Sequence, residues 1–197
     1  MSAGTQEFWD EQAADFDDEA DHGLRDPAVR AAWAELLLPL LPPAPSRVAD
    51  LGCGTGSLSV LVAGAGHDVL GVDLSPAMVA LARTKAAAAG LAVGFAVGDA
   101  ARPPLAPGSL DVVVARHVLW AFDDPAAALA RWVDLLAPGG RLLLVEGRWS
   151  TGAGISAEDC RRLVLGVREQ ADVRSLSDAA LWGKEITDDR YLVSSSR

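Results

Sequence analysis

The stretch Val48–Gly56, VADLGCGTG, runs from an apolar segment into three alternating glycines, and the next apolar segment closes on Asp73 in GVD. Glycine reaches positive φ without strain and carries no Cβ. Gly52, Gly54 and Gly56 therefore let the main chain turn sharply and come close to a bound group. A helix expected from about Ser57 to Val62 aims unpaired N–H groups and its positive dipole end at that loop, where an anionic or carboxylate-bearing group fits. One strand later, the carboxylate of Asp73 can accept both hydrogen bonds from a vicinal diol. The pair points to a nucleoside ligand.

Outward from this turn, apolar runs at 47–51, 68–73, 91–97, 110–116 and 141–146 alternate with helical segments. That alternation predicts an α/β fold, a mostly parallel sheet covered on both faces. Asp26-Pro27, Ser75-Pro76 and Asp124-Pro125 each place a capping side chain before a proline suited to the first helical position. Gly90 supplies a helix stop. Pro138, Gly139 and Gly140 make a turn feeding the fifth strand. Ser156 caps a helix expected to reach about Ala171, with two short strands following at 171–176 and 190–195. Open sheets of this kind bind ligands at the carboxyl ends of their strands, where the strand order reverses.

The identity of the nucleoside turns on departures from the dinucleotide pattern, whose third glycine would fall at position 57, where the chain has serine. With Asp50 before the loop, Asp73 after it and GDA at 98–100 following a third strand, the chain resembles the class I S-adenosylmethionine-dependent methyltransferases. The resemblance is strongest over residues 46–147. It implies a Rossmann-like, doubly wound, seven-stranded sheet in which 190–195 is an antiparallel strand inserted between two others. It also implies S-adenosyl-L-methionine as cofactor and S-adenosyl-L-homocysteine as product. Carried over by position, Gly52, Gly54 and Gly56, with Cys53 among them, would hold the methionine portion and Asp73 the ribose hydroxyls. Leu74 and Met78 would flank the adenine. Asp99 would accept from the adenine amino group, the Ala100 N–H would donate to the ring, and the Arg116 carbonyl would meet the methionine ammonium, its side chain having no necessary chemical part.

Several of these residues have plainer readings. Asp50 can organise the loop rather than touch the ligand, Asp99 can cap its own loop, Met78 can be ordinary core, and Cys53 can be a small packing residue. The two cysteines give neither zinc spacing nor a disulfide framework, so no metal site is expected.

The 197 residues, half of them hydrophobic, suit one globular domain: a leader at 1–45, a cofactor-binding core at 46–147 and a C-terminal part at 148–197. A formal net charge of -10 argues against a nucleic-acid substrate, which needs a basic surface. Much of the acid lies between Glu7 and Asp26, either as a solvated face or as a gate favouring cationic over anionic substrates. The acidic start resembles no secretory signal and no apolar run suffices to cross a bilayer, so the expected setting is cytoplasmic, as a monomer or homodimer.

A sulfonium methyl needs only an in-line nucleophile, and positioning supplies much of the rate. If the acceptor must lose a proton, His117, directly after the fourth strand, is the candidate base. A loop-orienting histidine is the alternative, and His22 and Glu146 are weaker candidates. His67 is expected far from the site. Trp9, Trp120 and Trp149 fall around the expected crevice, suiting an apolar or aromatic small-molecule acceptor. Phe8, Trp9 and Phe16 are the expected lid, with Phe16 where many relatives carry tyrosine. The competing functions are a nicotinamide-dependent oxidoreductase, disfavoured by Ser57 and the GDA segment, and a module that binds the cofactor without transferring a methyl.

Overall fold

The computed structural model describes residues 3–196. In chain order the elements are α1 (Ala3–Gln12), α2 (Ala20–Gly23), α3 (Pro27–Leu37), β1 (Arg47–Leu51), α4 (Ser57–Gly64), β2 (Asp68–Asp73), α5 (Pro76–Ala88), β3 (Gly94–Val97), β4 (Leu110–Arg116), α6 (Pro125–Asp134), β5 (Leu136–Arg148), α7 (Ala157–Leu165), β6 (Asp172–Ser175), α8 (Ala179–Trp182) and β7 (Asp189–Ser195). The strands form one sheet in the order β3-β2-β1-β4-β5-β7-β6. β1 to β5 run parallel, and β7 enters antiparallel between β5 and β6, as the resemblance implied.

Local chemistry starts the helices where expected. The side chain of Asp26 accepts from the N–H groups of Ala28 and Val29, Ser75 from Met78, Asp124 from Ala127 and Ser156 from Asp159. Each satisfies one or two of the donors that a helix start leaves unpaired. The period-two alternation of a strand divides the core in two. Leu142 and Leu144 of β5 face α6 and α7, packing with Trp132 and Leu129. Leu143 and Val145 face the other way, toward Trp33 of α3 and Trp182 of α8. The buried indole N–H groups are satisfied: Trp33 donates to the Leu181 carbonyl, Trp132 to Ala100 and Trp182 to Leu176, at 2.7 to 2.8 Å.

Three boundaries differ from expectation. β3 begins at Gly94 rather than Leu91, because the chain leaves α5 through Gly90 at φ +68° while the Leu91 N–H still bonds the Ala86 carbonyl. β5 begins at Leu136, so the Pro-Gly-Gly turn is a bulge inside the strand: pairing steps from Leu110 with Leu136 to Val112 with Arg141. α7 stops at Leu165, where the Gly166 N–H is shared between the Arg162 and Leu163 carbonyls, so the expected run to Ala171 is cut short. Among the described residues no helix is long and apolar enough to cross a membrane, and no cluster of His, Cys, Asp or Glu is placed to hold a metal.

Candidate functional site

β1 lies between β2 and β4, so the order of connections reverses there and the loops after β1 and β4 diverge. A cavity of about 370 Å³ opens between them, closed from above by the leader. After β1 the N–H groups of Gly52 and Cys53 both donate to the Val72 carbonyl, at 2.7 and 3.1 Å, pinning the turn to β2. All three glycines have positive φ, and each makes room for a different neighbour. A Cβ on Gly52 would fall 2.3 Å from Val118, one on Gly54 3.2 Å from the Phe16 ring, and one on Gly56 2.8 Å from Ala82. Gly52, Cys53 and Gly54 line the cavity. Gly56 does not: it opens α4 and packs against α5 and Phe95.

Asp73 lines the cavity, as its ribose assignment requires. Its Oδ2 accepts from the Gly54 N–H at 2.8 Å and its Oδ1 from the Ser75 N–H at 2.9 Å, leaving each oxygen a further lone pair. Burial raises its carboxyl above the usual range, against the pull of the Ser75, Gly54 and Leu74 N–H groups. Asp50 also lines the cavity while taking the Ser59 hydroxyl at 2.6 Å, so it both supports the loop and reaches the site. Burial pushes its carboxyl up to about 6. Leu74, Met78 and Ala100 supply an apolar slot beside Asp73. Asp99 makes the capping bond of its plainer reading. It is absent from the cavity wall, and its Oδ1 caps its own loop at the Ala101 N–H, 2.8 Å away.

The leader is fastened to this floor. Thr55 donates its hydroxyl to Asp17, whose other oxygen meets Lys85 Nζ at 2.8 Å. The same ammonium reaches Ser57 Oγ at 2.6 Å, and Ser57 donates on to the Gly23 carbonyl. Ser57, where the dinucleotide pattern would have glycine, is thus the point at which leader and glycine loop are joined. Asp10 accepts from Ser75 and from the Ala77 N–H at the start of α5. Asp10 and Asp17 are thus latches, whereas Glu7, Glu11, Asp15, Asp18, Glu19 and Asp26 are exposed, as a solvated face would be. Phe16 stacks on His22, 4.3 Å between centroids, and Trp9 lies beside it. Phe8, 51% exposed, stands outside the lid it was expected to join.

Arg116 lines the cavity, and its side chain has a structural part there. Its buried guanidinium lies over the Trp33 ring at 5.0 Å and donates to the carbonyls of Asp21 and His22, so the side chain anchors the leader. His117 follows in the left-handed region at φ +59°. Its ring rests against Trp149 and Trp182, at 5.2 and 6.1 Å, and both its nitrogens are buried without a hydrogen-bond partner. Burial, with Arg116, Arg190 and His22 nearby, holds its imidazole well below the ordinary histidine range, hence neutral at neutral pH. Trp9, Trp120 and Trp149 all line the cavity, as does His22; His67 lies away from it.

Residues 49–144 match the family described as "Methyltransferase domain". Over those residues the chain is similar to that methyltransferase family. The demethylmenaquinone methyltransferase of Thermus thermophilus is 41% identical over 105 residues, covering 52% of this chain and 48% of its own length. The ubiquinone biosynthesis O-methyltransferase of Xanthomonas euvesicatoria is 35% identical over 147 residues, covering 73% and 57%. The chain therefore spans about half the length of the curated relatives it matches. Two solved structures share the fold. A geranyl diphosphate methyltransferase in complex with SAM has a TM-score of 0.72 at 21% identity, covering 85% of each chain. The cyclase SpnF has a TM-score of 0.74 at 20% identity, covering 84% of this chain and 80% of its own.

Two residues of this cavity wall carried no sequence signal. Trp182 sits on a four-residue helix too short to show a period, and Arg190 reaches the cavity because β7 lies beside β5, pairing with Gly147. Glu146 is not in the cavity wall. Its Oε1 accepts from the N–H groups of Val118 and Leu119 at 3.0 and 2.7 Å, shaping the loop that carries His117.

Burial pushes the Glu146 carboxyl up to about 8, against those two N–H groups. A folded value above the unfolded one means that the folded state holds the proton more tightly. Its contribution is complete below the unfolded value near 4.5 and is lost as the pH rises through about 8. Glu146→Gln should therefore flatten the fall in stability between about pH 5 and 8, followed as the urea midpoint. An unaltered slope would show that Glu146 does not titrate in this range.

Proposed function

We propose that this chain transfers a methyl group from S-adenosylmethionine to a small, flat, partly apolar acceptor. The observation that carries the reading is the continuity of one cavity. At one end stand Asp73, Met78 and the glycine loop, and at the other Trp120, Trp149 and His117. The first end fits the donor in three respects. Asp73 keeps lone pairs for a diol, Leu74, Met78 and Ala100 offer apolar faces to a planar base, and the loop holds its backbone open at Gly52 and Gly54. When bound, the donor supplies a methyl already activated by its sulfonium.

The chain's own part is to place the acceptor in line, to keep water out with the leader, and to hold a neutral imidazole near the attacking group. Because both His117 nitrogens are covered, the indole of Trp149 must turn aside for the acceptor to reach them. Titration calorimetry with S-adenosylhomocysteine should give saturable binding, and labelled methyl should move from the donor to one or more of a panel of phenols. Cofactor binding with no transfer to any acceptor would favour the non-transferring module, a reading that the fold neighbour titled as a cyclase keeps open. A nicotinamide cofactor bound in place of S-adenosylhomocysteine would overturn both.

His117→Asn keeps a side chain that tolerates the left-handed backbone. It should lower kcat at pH 7 by about a hundredfold, the lower end of general-base effects, with S-adenosylhomocysteine affinity unchanged. The deficit should shrink as the pH rises and the acceptor ionises unaided. A pH-independent deficit would make His117 a loop residue instead.

A further inference from the structure

Arg190 is a buried cation that its nearest carboxylates, Asp188 and Asp21, meet only in part. Its side chain is 11% exposed and lines the cavity. Its Nη2 reaches Asp188 at a long 3.3 Å, its Nη1 stands 4.0 Å from Asp21 Oδ2, and its Nε has no hydrogen-bond partner. What holds the guanidinium is aromatic: it lies 4.5 Å from the Trp182 ring centre and 5.7 Å from that of Trp149. Gly147 clears its path across β5, since a Cβ there would fall 3.0 Å from Arg190 Cδ.

A desolvated guanidinium is costly unless its donors are met, and its planar fork is shaped for a carboxylate or a comparable pair of oxygens. The same two indoles that hold Arg190 flank His117. The cations Arg116 and Lys184 on the cavity wall are already engaged, the first with the Asp21 and His22 carbonyls and the second with Glu19 at 2.6 Å. Among the described residues, Arg190 is thus the cation of this wall with a buried donor, Nε, left unmet.

We propose that Arg190 selects the acceptor, holding an anionic oxygen of a flat hydroxylated aromatic molecule packed among Trp120, Trp149 and Trp182, with the hydroxyl to be methylated turned toward His117. The proposal rests on the methyl-transfer reading of the cavity and names its substrate class. The carboxylate contributes binding and orientation, not a chemical step.

The test uses the full chain saturated with S-adenosylhomocysteine and three probes of similar shape: 2-hydroxybenzoate, phenol and 2-(aminomethyl)phenol. Calorimetry should rank 2-hydroxybenzoate about tenfold or more above phenol, the size of one charge-assisted hydrogen bond, with the cationic probe weakest. Arg190→Met should bring 2-hydroxybenzoate down to the phenol level while S-adenosylhomocysteine still binds as in the parent. Arg190→Lys, which keeps the charge and loses the fork, should fall between them.

If 2-(aminomethyl)phenol binds best, Asp21 and Glu19 rule the compartment and the proposal is overturned. It also fails if the parent does not distinguish the anion from phenol, or if Arg190→Met keeps the distinction. Should Arg190→Met not fold, as read from its near-ultraviolet dichroism, the parent's ranking and Arg190→Lys decide. Absence of S-adenosylhomocysteine binding in the parent would instead strike the methyl-transfer reading itself.

Discussion

Asp73→Ala is expected to weaken S-adenosylhomocysteine binding by about a hundredfold or more, from the loss of two hydrogen bonds to a carboxylate, each worth roughly 1.5–3 kcal/mol. The direct part of that loss comes from the diol. An indirect part comes from the protein, because Asp73 also accepts the N–H groups of Gly54 and Ser75 and so joins the glycine loop to the start of α5. Two further measurements separate them. Asp73→Asn retains one good acceptor oxygen and an isosteric shape, so it should keep more of the loop than of the affinity. 2′-Deoxy and 3′-deoxy analogues of S-adenosylhomocysteine should each bind the parent more weakly than the full nucleoside, and both losses should vanish in Asp73→Ala. If Asp73→Ala binds as the parent does, the carboxylate is a loop organiser alone and the nucleoside reading of the β2 end goes with it.

The cofactor half of the cavity was legible because its chemistry is local. A glycine turn, the strand before it and the acid closing the next strand are fixed by residues that follow one another. Strands buried on both faces, such as β1, β2 and β4, announce themselves as apolar runs whose ends coincide with the observed ones. The glycine pattern did not show tertiary packing: at Gly56 the missing Cβ makes room for Ala82 and Phe95. Asp99 likewise follows β3 as the family pattern suggests, yet the Ala101 N–H captures its carboxylate oxygen.

The acceptor half was legible in part. Trp149 and Trp120 lie just beyond strand ends, where a ligand crevice is expected, and both line it. Trp182 and Arg190 come from the last quarter of the chain through the insertion of β7, a long-range pairing without a local sign. The leader was readable as a lid but not as a latch. The bonds of Asp17 to Thr55 and Lys85, and of Arg116 to the Asp21 and His22 carbonyls, join residues 38 to 95 positions apart.

Trp33→Ala should be the most destabilising of the substitutions considered, lowering the unfolding free energy by roughly 3–5 kcal/mol, the range for removing a large aromatic from a core. Trp33 is fully buried on α3, edge-on to Trp182 at 5.5 Å, and donates to the Leu181 carbonyl at 2.7 Å. Truncation leaves a cavity and strands that carbonyl. It also removes the surface under the Arg116 guanidinium. Trp33→Phe keeps most of the volume and loses the N–H, and should cost about 1–3 kcal/mol, the range for stranding a buried polar group. Both effects are read as urea midpoints at constant slope.

The functional consequence separates this tryptophan from an ordinary core residue. Arg116 rests on Trp33 while holding the Asp21 and His22 carbonyls, and Asp21 and His22 themselves line the cavity. Losing the ring therefore frees part of the cavity wall, and S-adenosylhomocysteine affinity should fall even under conditions where the variant is fully folded. Leu129→Ala, in the cluster on the opposite face of the sheet, should destabilise by a comparable roughly 2–5 kcal/mol with affinity unchanged. If the two variants bind the cofactor alike, the leader is a cover that the site does without, and the coupling through Arg116 is structural alone.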